Sequence, residues 1–159
     1  MGMLALLSAA ETIIQAEIDA SATDLGDVEI IYKGGASPPR PFPKYPLIII
    51  GADSEERQHR RAARVDGLPA PSGFGERYRW FIAVSHSTGN LTESFEKVCN
   101  IWEELKTIID DNFTWNGTVH DTDHNGTIEY GAINPFGIDE SKLTYTILVK
   151  LISNVRWGG

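Results

Sequence analysis

Cysteine is almost missing from this sequence. Cys99 stands alone, so no disulfide can form within the chain, a composition that suits a reducing compartment. Long apolar runs are missing too. The most apolar stretch, residues 1–20, has no basic leader and is interrupted by Glu11, Glu17 and Asp19. It is too charged to span a bilayer and reads as a mature cytosolic start, with no membrane association expected. Positive charge is scarce. The chain has 14 Lys and Arg against 22 Asp and Glu, a net charge of −8, so free duplex DNA would be repelled on average.

The motifs of catalysis are missing as well. No nucleophile elbow, phosphate-binding loop or dinucleotide fingerprint occurs, and Gly73-Phe74-Gly75 lacks a third glycine and precedes a strand pattern. His59, His86, His120 and His124 show no zinc-ligand spacing. Ser85-His86-Ser87 sets hydroxyls beside a histidine, but adjacency in sequence does not make a nucleophile–base pair. The sequence therefore predicts no enzyme, no catalytic residues and no cofactor.

What is present is the patterning of one α+β domain spanning residues 1–159. Leu4, Leu7, Ile14 and Ile18 recur at helical spacing over residues 4–19. Val28, Ile30 and Tyr32 alternate with polar residues as in a half-buried strand. Pro38, Pro39, Pro41 and Pro43 then impose a rigid extended connection. The run Leu47-Ile48-Ile49-Ile50 is too short for a helix and predicts a strand buried on both faces. From about residue 52 to 76 the pattern fails, which predicts an extended irregular loop, long against the usual connection of about 4–6 residues. Arg57, Arg60, Arg61 and Arg64 within it are candidate protein-contact residues, because guanidinium forks match acidic partners.

Tyr78, Trp80, Ile82 and Val84 alternate as a strong strand. Asn90 then caps a helix over residues 91–111, with Phe95, Val98, Trp102, Leu105 and Ile109 on the apolar face and Glu93–Lys97 as an i,i+4 pair. Residues 115–120 and 127–132 look like two short strands forming a hairpin. Leu143, Tyr145, Ile147, Val149 and Leu151 alternate in a long final strand. Strands cluster rather than alternate with helices. The expectation is a mostly antiparallel sheet with two helices packed on one face.

One segment resembles a metal loop. Asp121, Asp123, Asn125 and Glu129, around Gly126, reproduce the first nine positions of a calcium-binding EF-hand loop. Position 12, where a bidentate Glu belongs, is Ala132, and the flanks look like strands. A plain hairpin turn is the expected structure, with calcium binding by those four residues as the alternative.

The layout as a whole resembles the tail terminator (tail completion, head–tail joining) proteins of tailed bacteriophages and related archaeal viruses. The resemblance runs over nearly the full chain: the first helix, then Tyr45-Pro46-Leu47-Ile48-Ile49-Ile50-Gly51 with Asp53-Ser54-Glu55-Glu56 behind it, the strand at 78–86, the capped helix, Asn116-Gly117-Thr118-Val119, and the closing strand. The 57–76 segment is longer than the pattern, and its basic cluster is not part of it. The resemblance implies a virion structural protein in the tail or neck, assembled in the host cytoplasm. It implies a homo-oligomer, a hexameric ring at the head-proximal end of the tail tube. Its partners would be the tail tube protein and head–tail connector proteins, with DNA passing through an acidic bore unbound. Another neck or head-closure position is the closest alternative.

Overall fold

The computed structural model describes residues 2–34, 44–57, 74–88, 90–131 and 144–156. Helix α1 (Met3–Ala20) leads through a short 3-10 helix (Asp24–Asp27) into strand β1 (Ile30–Lys33). Strands β2 (Leu47–Arg57) and β3 (Phe74–Ser87) follow, then helix α2 (Leu91–Asp111). Strands β4 (Asp121–His124), β5 (Glu129–Gly131) and β6 (Thr144–Arg156) complete the order. The strands make one sheet in the order β1-β2-β3-β6-β4, with β5 also on β6. Among the described strands only the β1–β2 pairing is parallel. This is the expected α+β architecture.

Strand alternation decides which side chains the helices cover. Ile48 and Ile50 of β2, Tyr78, Trp80, Ile82 and Val84 of β3, and Ile147, Val149 and Leu151 of β6 share one face and are buried. Against them pack Leu6, Leu7, Ala10, Ile14 and Ile18 of α1 and Val98, Ile101, Trp102, Leu105, Ile108 and Ile109 of α2. Each fully buried Leu or Ile contributes roughly 1.5–3 kcal/mol, so this layer supplies most of the drive to fold. Both helices lie on that face. On the opposite face Leu47, Ile49 and Ala83 form a second cluster with Ile30, Tyr32, Tyr45, Phe81 and Leu148. The strand at 47–50 is thus buried on both faces, as its unbroken apolar run predicts.

Several expectations need correction. Leu4 is 71% exposed, and Leu6 holds the core beside the expected Leu7, Ile14 and Ile18, because the stripe of α1 is centred a little further along its wheel. Phe95 is 40% exposed at the rim of the α2 stripe, where it meets Tyr145 edge to face at 5.0 Å. Asn90 does cap α2: its Oδ1 accepts from Thr92 N at 2.8 Å and Glu93 N at 3.3 Å. Lys97, however, reaches across to the 3-10 helix, donating to Asp24 Oδ1 at 2.9 Å and to Asp27. Two carboxylates from another element outcompete the single helical neighbour Glu93.

The hairpin expected around residues 121–126 does not form. Residues 112–120 are turns and bends, and β4 and β5 lie end to end along β6 instead of pairing with each other. The reason sits at Trp115, which is fully buried and edge to face with Trp80 at 5.4 Å. Seating that ring takes three successive residues with positive φ: Trp115 at 44°, Asn116 at 59° and Gly117 at 77°. A strand cannot carry such angles.

Candidate assembly surface

Of the irregular loop expected from residue 52 to 76, both described ends are strand, and residues 58–73 lie outside the described residues. β2 runs on to Arg57 and β3 starts at Phe74, in register from Ser54 opposite Arg79 to Arg57 opposite Glu76. Periodicity missed this stretch because Ala52–Arg57 is exposed on both faces, so no apolar alternation marks it. Charge pairing holds it instead. Glu56 accepts from Arg79 and lies 3.7 Å from Arg77, while Arg57 lies 3.3 Å from Glu76. The bond from Arg79 keeps the Glu56 carboxyl below its ordinary pKa. Cross-strand pairs of opposite charge favour the register that brings them together.

The pairing continues across the sheet. Arg77 Nε donates to Asn154 Oδ1 at 3.1 Å, and Asn154 Nδ2 donates to Asp121 Oδ1 at 2.7 Å. Glu56, Arg77, Asn154 and Asp121 thus form a polar ladder across β2, β3, β6 and β4 on the face away from the helices. On the helix side the same region is closed by Trp80 Nε1, which donates to Ser153 Oγ at 2.9 Å. Ser153 Oγ in turn lies 2.7 Å from Thr122 Oγ1. Tyr78 donates to Glu76, and burial, with that carboxylate beside it, drives the phenol pKa up.

Among the described residues, this arm leaves one long edge uncovered. β1 covers β2 only at Leu47–Ile50, and Gly34 N adds a last bond to Ile50 O. Beyond Ile50, no described strand pairs with the outer edge of β2. That edge carries Asp53 and Glu55 besides the paired Glu56, which favours a partner with positive charge. The opposite edge of the sheet is blunted. β4 and β5 are short, interrupted at residues 125–128, and carry Asp121, Asp123 and Glu129.

The candidate residues fare unequally. Arg57 lies at the tip of the described arm with its side chain 75% exposed, whereas Arg60, Arg61 and Arg64 lie outside the described residues. Of the calcium candidates, Asp121 and Asp123 sit in an extended strand, where alternate residues stand roughly 6–7 Å apart. Asp121 is occupied by Asn154, Asn125 N is tied to Lys150 O at 2.8 Å, and Glu129 lies in a separate strand. The four do not wrap a common point. Among the described residues no group of three or more His, Cys, Asp or Glu is placed to hold a metal ion.

Ser85 Oγ lies 2.6 Å from Thr146 Oγ1, and strand alternation turns it away from His86. His86 has its Nδ1 buried without a hydrogen bond, and burial, then the nearby Lys97 charge, lowers its pKa. His124 Nε2 lies 4.0 Å from Asp110 Oδ1. Cys99 is half-buried, and burial, then Glu103, raises its thiol pKa, away from the reactive thiolate. An open groove of about 760 Å³ runs between the ends of α1 and α2, lined by Glu17, Ser21, Thr23, Glu103, Glu104 and Asp111. Glu104 already bridges the two elements, accepting from Leu25 N at 2.9 Å and from Thr23. No described helix is long and apolar enough to cross a membrane.

The fold and this surface define an α+β protein with a charge-paired β arm. The chain matches no known family model and no curated protein.

Proposed function

We propose that this protein is a non-catalytic structural subunit of a tailed virus. It forms a ring at the head-proximal end of the tail tube, terminating the tail and joining it to the head connector. The observation that carries the reading is the arm. Six consecutive residues of β2, from Ala52 to Arg57, are exposed on both faces and have no partner strand along one edge among the described residues, yet are held in register by Glu56, Arg77 and Arg79. Such a strand adds little to the stability of an isolated protomer, and its use lies in contact with another chain. A ring also needs two dissimilar surfaces on each copy. The acidic edge of β2 and the blunted edge at β4 and β5 are dissimilar. The order of helix, strands, capped helix and closing strand is the one on which the resemblance rests, and it supports this reading. In this reading the net charge of −8 keeps passing DNA from adhering.

The test is the mass of the purified protein in solution over a wide concentration range, with negative-stain electron microscopy at the upper end and in the presence of isolated tail tubes. Closed rings, or protein capping one end of the tubes, are the expected result. A monomer at every concentration that also ignores tube ends would sink the proposal. A variant with Asp53 and Glu55 changed to Lys, which leaves the Glu56 pairs with Arg77 and Arg79 intact, should fold and fail to assemble.

A further inference from the structure

The turn that seats Trp115 contains an Asn-Gly step at its most open point. Asn116 and Gly117 are both exposed, and a Cβ built on Gly117 meets no atom within 4 Å. The hydrogen bonds of the turn pass around this pair: Trp115 N to Asn112 O at 2.8 Å, Thr118 N to Trp115 O at 3.3 Å, and Val119 N to Thr114 O at 3.2 Å. No bond holds the Gly117 N–H among the described residues. A second Asn-Gly step, Asn125-Gly126, is built differently. Asn125 is half-buried, and its N–H is fixed to Lys150 O at 2.8 Å in the gap between β4 and β5. Asn90 and Asn112 are followed by the bulky Leu91 and Phe113, and both side chains are engaged at helix ends.

We propose that Asn116 is the chain's preferred site of spontaneous deamidation and isoaspartate formation. The Gly117 backbone nitrogen attacks Asn116 Cγ. The N–Cγ bond forms, the Cγ–Nδ2 bond breaks, and ammonia leaves with the proton from the Gly117 N–H. Water then opens the cyclic imide. Cleavage at Cγ gives aspartate, and cleavage at the backbone carbonyl gives isoaspartate, with the main chain rerouted through the former side chain. No oxidant or reductant takes part.

The fold makes this site consequential. Asn is among the few residues that accept positive φ readily, and residue 116 lies at 59° between two others of the same hand. Isoaspartate adds a methylene to that backbone, and either product adds a negative charge close in sequence to Asp110 and Asp111. The turn then holds Trp115 against Trp80 less well, so modification at an exposed position loosens a fully buried aromatic pair.

The experiment incubates the intact protein in mildly alkaline buffer and follows each asparagine by peptide mass spectrometry, with enzymatic methylation to count isoaspartyl groups. A parallel sample in denaturant supplies the rate without the fold. Residue 116 should convert several times faster than residue 125 in the folded protein, and the two should converge in denaturant. The aged protein should melt at lower temperature, and Asn116→Gly, which keeps positive φ accessible, should not age at this site. Equal or faster conversion at residue 125 in the folded protein would overturn the proposal. So would an inert residue 116 over the period in which the denatured chain converts.

Discussion

Gly51 sits directly across from Phe81 in the β2–β3 pairing, and the two are fitted to one another. A Cβ built on Gly51 falls 2.5 Å from Phe81 Cε1 and closer still to Cζ. The ring lies over the bare glycine backbone, so Gly51→Ala forces Phe81 off its place in the second apolar cluster. Overpacking of this kind costs about 1–3 kcal/mol. Working against it, loss of a glycine from the unfolded chain stabilises by about 0.4–1 kcal/mol where the backbone is compatible. The net expectation for Gly51→Ala is a loss of about 1–2 kcal/mol. In a Phe81→Ala background the clash is gone, and the same change should become neutral or stabilising by about 0.4–1 kcal/mol. The assay is a double-mutant cycle by urea unfolding, read as midpoint shifts at constant m-value. A Gly51→Ala cost that is zero in the parent, or the same in both backgrounds, would refute the reasoning.

Other perturbations test separate parts of the structure. Ser153→Ala strips the buried Trp80 indole of its acceptor and removes the Thr122 contact, and should cost about 1–3 kcal/mol in urea unfolding, where a neutral result would mean that water reaches that indole. The Asp24 carboxyl is held below its ordinary pKa by the bond from Lys97 and then by that from Asn100. The stabilisation from this lowered pKa is complete above the unfolded value of about 4 and is lost as pH falls through the folded one. The stability gap between the parent and Asp24→Asn should therefore narrow below about pH 4, and a gap independent of pH would contradict the pairing. Calorimetric titration with calcium should give no saturable heat, since Asp121 is spent on Asn154 and Asp123 lies along an extended strand. Saturable binding that Asp121→Ala abolished would restore the metal-loop reading.

The sequence was most legible where one physical rule acted alone. The cap at Asn90, the alternation of Tyr78, Trp80, Ile82 and Val84, and the doubly buried run at 47–50 each follow from local spacing, and each stands in the structure. It misled where a distant partner decided. Lys97 left Glu93 for Asp24 and Asp27, and the DxDxNG spacing that suggests a metal loop or hairpin turn became an edge strand because β6 offered it a ladder. The arm was hidden for a different reason. Its β2 half is exposed and polar on both faces, and its complementarity to β3 appears only once Glu56 is known to face Arg77 and Arg79.

By itself, then, the sequence determined the class of the fold, its helices and main strands, and a chain that must rest on its core without disulfides. These follow from composition and from periods of two and 3.6, which are properties of neighbours along the chain. Tertiary structure alone decided the order of strands, the pairing of the described arm, and the left-handed turn that seats Trp115 against Trp80. Those depend on which residues meet across long separations, where register and burial, not local preference, set the energy.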